Sequence, residues 1–182
     1  MKKYLRMLPL ALYPYAYLLW VFSLYFVDQH ILLHMHKPWR GYGYNLFFVI
    51  AALFQVLVLG LSIYGAVSTT KNDCSASEAA RVNLFIKGIQ IPAYIFHFII
   101  GLMGTLMSIW GIGLIMLALI VDVITILLTG IHSIGCAVKM NKQGILTSPV
   151  AILMGVGSFI FCVDVIIAVI YVIIAREKYP RS

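Results

Sequence analysis

The sequence predicts an all-α integral membrane protein, a polytopic bundle of five transmembrane helices with no soluble domain. Three observations carry that prediction. The chain is 63% hydrophobic and only 10% charged, whereas soluble domains carry about 45–50% apolar and about 25% charged residues. Its mean hydropathy is +1.01. Five apolar stretches are each long enough to cross roughly 30 Å of hydrocarbon, a distance that takes about 20 helical residues. A water-soluble fold of this composition would expose most of its apolar side chains, so that class is excluded.

The stretches are 8–27, 44–66, 89–109, 112–134 and 149–174, within a single integral membrane domain covering 1–182. The first follows Met1-Lys2-Lys3-Tyr4-Leu5-Arg6, which mimics a signal peptide. No small-residue cleavage site follows and the apolar run continues to Val27, so it reads as an uncleaved span. The third and fourth form one apolar region too long for a single crossing. Trp110-Gly111-Ile112-Gly113 interrupts it where a tight helical hairpin would turn. Before the third stretch, Ser75-Ala76-Ser77-Glu78 is a capping-box pattern. The helix is therefore predicted to start near Ala76 and to project about two turns beyond the lipid, with a kink at Pro92.

The charges are arranged as in membrane loops. Of the 13 Lys and Arg residues, most sit in short flanks beside apolar runs, which points to anionic lipid headgroups rather than nucleic acid as their counter-charge. With the N-terminus cytoplasmic, Lys2, Lys3, Arg6, Lys71, Arg81, Lys87, Lys139 and Lys142 are inside, and Lys37, Arg40, Arg176, Lys178 and Arg181 outside. Eight against five favours that orientation under the positive-inside rule. The basic tail argues the other way. It favours an even number of crossings, four if one apolar hairpin is re-entrant. The lipid bilayer and other membrane subunits, including further copies of the chain, are the partners this class implies.

Polar residues deep in a span are costly, so their positions carry information. Gln55, His97, Asp122 and Asp164 fall near the centres of the second to fifth stretches. At 100° per residue, Asp122, Thr125, Thr129, His132, Ser133 and Cys136 share one face of the fourth helix. Asn83, Lys87, Gln90, His97, Gly101, Gly104 and Ser108 share one face of the third. Counted from the turn at Trp110–Gly111, His97 lies 13 residues back and Asp122 lies 11 forward. At 1.5 Å per residue their depths agree within about 3–5 Å, so a His97–Asp122 hydrogen bond or ion pair is predicted. The same arithmetic places Asp164 level with Asp122. Two carboxylates in one low-dielectric layer cannot both ionise cheaply, and a nearby imidazole can exchange protons with them. Such a layer is a candidate proton or cation site.

Asp28, His30, His34 and His36 form a second candidate in the first outer loop. His30 and His34 are one helical turn apart, a spacing that suits zinc or copper. Lys37-Pro38-Trp39-Arg40 beside them reads as an interface anchor instead. Cys74, Cys136 and Cys162 are odd in number and have no metal-type spacing. No phosphate loop, nucleophile elbow or His-Glu-x-x-His motif occurs, so nothing marks an enzyme and no cofactor is identified. His97 and His132 lie about 12 Å apart in depth, too far to share a haem iron.

The segment from Asn83 to Ile95, with its core Lys87-Gly88-Ile89-Gln90-Ile91-Pro92-Ala93-Tyr94, resembles a stretch of small multi-pass membrane proteins of Gram-positive bacteria. The resemblance covers 13 residues. It implies a bacterial plasma membrane and no particular activity. Two functions follow from the residues themselves. One is a small proton- or cation-linked transport component with a midplane carboxylate site. The other is an accessory subunit whose polar stripes serve packing.

Overall fold

A computed structural model of the chain describes residues 2–30, 34, 37–71, 74–107, 109 and 111–178. Its elements are helices α1 (Lys2–Ala11), α2 (Tyr13–His30), α3 (Lys37–Lys71), α4 (Ala76–Leu106), α5 (Gly111–Lys142), α6 (Ser148–Gly157) and α7 (Val163–Lys178). No strand occurs among the described residues. Three of the helices are long and apolar enough to cross a membrane, over Tyr42–Lys71, Ala76–Leu106 and Gly111–Lys142.

The first apolar stretch is divided between α1 and α2, with Leu12 at the join. Pro14 lacks the N–H that would bond to the carbonyl of Leu10, so the helix cannot run through unaltered. Leu12 still donates to the Leu8 carbonyl at 2.9 Å, which keeps the two pieces continuous. Helix α4 begins where the capping pattern places it. Ser75 is the N-cap, and its Oγ accepts the Glu78 N–H at 3.2 Å. The helix remains one element through Pro92. Proline removes the donor for the Gly88 carbonyl, and one residue on, Tyr15 Oη donates to the Ile89 carbonyl at 2.6 Å.

Side-chain pairs fix the directions of the helices. Arg6 meets Tyr64, Tyr13 meets Gln55, and Asp28 meets Tyr44, so α1–α2 runs antiparallel to α3. Asn83 meets Ser133, Lys87 meets Thr129, and His97 meets Asp122, so α4 and α5 are antiparallel. Helices α3 and α5 run parallel. Ser62 donates to the Leu128 carbonyl, and Ala66 packs on Gly135 one turn further along.

The C-terminal part departs from the predicted fifth span. Residues 149–174 do not form one rod, because the chain reverses between Ser158 and Cys162. After a last α-helical bond from Ser158 N–H to Met154, two shorter turns, Phe159 to Val156 and Ile160 to Gly157, tighten the end of α6. Cys162 then adopts φ 64°, a left-handed conformation that redirects the chain. Helix α7 returns antiparallel to α4: Phe161 packs on Tyr94, and Asp164 bonds Lys87. Tyr171 and Ala175 pack in one cluster with Ala76, Ala79, Ala80 and Met140. Gly157 faces Ile167 across the hairpin, leaving no room for a side chain between them. The start of α6 therefore lies at the end of α5, where Asn141 bonds Ser148, and the end of α7 lies beside the start of α4. A hydropathy profile registers apolar length but not direction, so it reads this hairpin as a crossing.

Candidate functional site

The α4–α5 seam carries the polar chemistry. On α4 the inward positions Asn83, Lys87, Gln90, Tyr94 and His97 recur at intervals of four and three residues, the spacing that keeps one helix stripe on a partner. All five are buried. Opposite them on α5 lie Thr125, Thr129, His132 and Ser133, each at most 1% exposed. The outward faces are apolar. Ile112, Leu119, Val123, Leu127, Ile134 and Val138 on α5 are exposed along its length, as are Ile152, Ile166 and Ile173 on the hairpin. The polar seam is thus enclosed by helices that present hydrocarbon outward.

One ion pair and one histidine–carboxylate contact are stacked along this seam. The inner one joins Lys87 Nζ and Asp164 Oδ2 at 2.7 Å, with both side chains fully buried. Lys87 Nζ also donates to Thr129 Oγ1 at 2.5 Å. Asp164 lies in the first turn of α7, immediately after the reversal, where the N-terminal end of the helix dipole favours a carboxylate. Its second oxygen, Oδ1, is buried without a hydrogen-bond partner. The outer pair joins His97 Nδ1 and Asp122 Oδ1 at 2.5 Å. His97 Nε2 is buried and unpartnered, whereas the Asp122 side chain is 16% exposed. Ten residues of α4 separate Lys87 from His97, which is about 15 Å along the helix axis.

The arrangement corrects part of the expected midplane layer. His97 and Asp122 meet as the depth arithmetic predicts. Asp164 and Asp122 do not share a site, since each carboxylate has its own basic partner at a different level. Gln55 stands apart, on the seam between α1–α2 and α3, where it accepts a hydrogen bond from Tyr13 Oη at 2.6 Å. Lys87 is the principal residue that loop-based counting misplaces. Its signal lies in the stripe of Asn83, Lys87, Gln90 and His97, which puts a lysine on the inward face.

His132 occupies a further position. Both its ring nitrogens are buried without partners, and it lines a cavity of about 80 Å³ with Arg6, Tyr64, Thr69 and Glu78.

At the end of α2 and just beyond it, Asp28 accepts a hydrogen bond from Tyr44, His30 packs on Phe26, and His34 is exposed. His36 lies outside the described residues. Among the described residues no three His, Cys, Asp or Glu side chains gather as a metal ion requires. No protein-family model, no curated protein and no solved structure matches this chain.

Proposed function

We propose that this protein is a proton-linked membrane transport component whose working element is the α4–α5 seam with the tip of the α6–α7 hairpin. The observation that carries the reading is the fully buried Lys87–Asp164 pair at a helix reversal. Ionisable side chains within the bilayer mark ion and proton pathways. Interrupted helices at membrane depth are tolerated where they are buried in protein or line a cavity. A proton on Asp164 removes the charge that attracts Lys87, and with it the bond holding the start of α7 to α4. Proton uptake is thereby coupled to the position of a short hairpin. The His97–Asp122 pair supplies a second protonatable group further along the same seam.

The topology belongs to this proposal. Helices α1–α2, α3, α4 and α5 make four crossings, α6–α7 is re-entrant, and both termini are cytoplasmic. Leaving aside the buried Lys87, and Arg181, which lies outside the described residues, Lys2, Lys3, Arg6, Lys71, Arg81, Lys139, Lys142, Arg176 and Lys178 then lie on the cytoplasmic side. Lys37 and Arg40 face the other side. Nine against two is a stronger asymmetry than five crossings allow. In a cysteine-free background, single cysteines at Lys2 and Lys178 are expected to react with an impermeant thiol reagent from the same side, and one at Gln29 from the opposite side. Opposite-side labelling at positions 2 and 178 would exclude the four-crossing topology.

Transport is tested in proteoliposomes holding a pH gradient, read by an internal pH dye while sodium, potassium and hydrophobic organic cations are added in turn. At least one cation is expected to collapse the gradient with the parent protein. Asp164→Asn and Asp122→Asn are each expected to reduce that response to the level of empty liposomes. A gradient unaffected by every cation, or variants that respond as the parent does, would refute the reading. An accessory-subunit role is supported by α3, whose apolar residues Leu46, Leu53, Val56 and Ile63 are exposed among the described residues. Stable co-purification of another membrane protein, combined with an unaffected gradient, would favour it.

A further inference from the structure

Beside the outer pair, a groove of about 460 Å³ runs along α4 and α5, between the His97–Asp122 contact and the close approach of Gly104 to Ile115. Its walls are apolar, with Phe98, Leu102, Ile115, Leu119 and Phe161 prominent among them. Phe161, at the tip of the α6–α7 hairpin, forms its inner end. Small-molecule sites occupy roughly 300–1,000 Å³ and combine apolar walls with a few placed polar groups. Here those groups are His97, Asp122 and Thr105. Asp122 is the charged one, part-exposed at 16% and held from the other side by His97 Nδ1.

We infer that this groove is a binding site for a hydrophobic monovalent organic cation, with Asp122 as its counter-ion and Phe98 and Phe161 as its aromatic walls. This deepens the transport reading by naming a substrate class, and it rests on that reading for its physiological meaning. Charge complementarity selects the occupant. With His97 neutral, its Nδ1–H donates to Asp122 and the dyad carries one negative charge against an apolar wall. Such a charge needs a counter-ion that can itself leave water cheaply, so a delocalised or alkylated cation fits better than a hydrated metal ion. Aromatic faces add cation–π attraction. With His97 protonated the dyad is already neutral and the organic cation loses its partner. Proton and cation therefore compete for one negative charge. The other titratable groups packed along these helices do not supply it. Lys87 and Asp164 neutralise each other about 15 Å away along α4, and Tyr94 is an uncharged phenol that donates to Gln90.

The test uses the purified full-length protein in detergent and radiolabelled tetraphenylphosphonium as the probe. Saturable binding is expected, with one proton released per cation bound in weakly buffered solution. Affinity is expected to fall as the pH is lowered, because protons compete with the cation for the same charge. Asp122→Asn is expected to weaken binding by about thirtyfold or more. Gly101→Leu provides an independent check, because a Cβ at Gly101 meets nothing within 4 Å and the side chain can fill the groove without displacing its walls. That variant is expected to lose binding while retaining the parent's thermal stability. Absence of saturable binding, or binding unchanged in both variants, would overturn the inference, including the case in which a lipid chain occupies the groove. A pH gradient collapsed by sodium or potassium together with no organic-cation binding would reject this site while leaving the transport reading intact.

Discussion

Lys87→Met is expected to destabilise the protein by about 3–5 kcal/mol, because it leaves the Asp164 carboxylate buried without its cation. Lys87 and Asp164 are each fully buried, and Lys87 Nζ lies 2.7 Å from Asp164 Oδ2. Removing the ammonium leaves a charge whose remaining oxygen already lacks a partner. Replacing both members, Lys87→Met with Asp164→Leu, removes the two desolvation costs together and is expected to restore stability to near the parent level. The double-mutant cycle, read as thermal midpoints in detergent, should therefore show strong coupling. Near-additive losses would mean that the two side chains do not depend on each other. Because the double variant has no ionisable group at this level, it is also expected to be inactive in the proteoliposome assay. Stability and activity separate in that one variant, which distinguishes a working ion pair from a packing device.

Gly135→Leu is the second large effect expected. Helices α3 and α5 run parallel and approach closely at one place, where a Cβ on Gly135 would lie 2.7 Å from Ala66 Cα and 2.8 Å from Ala66 O. Those are backbone atoms, which cannot rotate aside as a flexible side chain can. Between helices in lipid, attraction depends on packing at short range, and small residues permit it. A leucine here must push α3 away, at a cost of about 1–3 kcal/mol or more. It should also break the hydrogen bond from Ser62 to the Leu128 carbonyl on the same seam. A cross-link between cysteines at Ala66 and Cys136 positions, formed in the parent background and lost with Gly135→Leu, would report the separation. Retention of that cross-link together with a parent-like thermal midpoint would count against the close contact. Gly101→Leu serves as the control, since it adds the same side chain where space is open.

Much of the fold was legible from elementary rules. Composition alone places the chain in a membrane, because so few charges cannot cover so much apolar surface. The start of α4 was legible because capping is local: Ser75 and Glu78 lie within one helical turn. The His97–Asp122 contact was legible because a short hairpin ties the depth of one residue to the depth of the other. Each of these depends on information carried within a few residues, or on counting from a single turn.

Other features depend on how distant segments pack. The reversal at 158–162 sits inside the apolar stretch 149–174 with no proline to mark it, only Gly157-Ser158 before it and Asp164 just after it. Only its packing on Tyr94 and the cluster around Ala76 sets the direction of α7. Lys87 reads as a cytoplasmic flank when charges are counted by segment, yet docking of α7 buries it against Asp164, 77 residues later. That same pairing separates Asp164 from Asp122, which depth counting along an assumed straight fifth span had made neighbours. Local patterning was enough for a helical membrane protein with one polar stripe on each of α4 and α5. The tertiary structure decided which charges meet across those stripes. The physical reason is that hydrophobicity sets where a helix can reside, whereas the partner of a buried charge is set by which helix returns beside it.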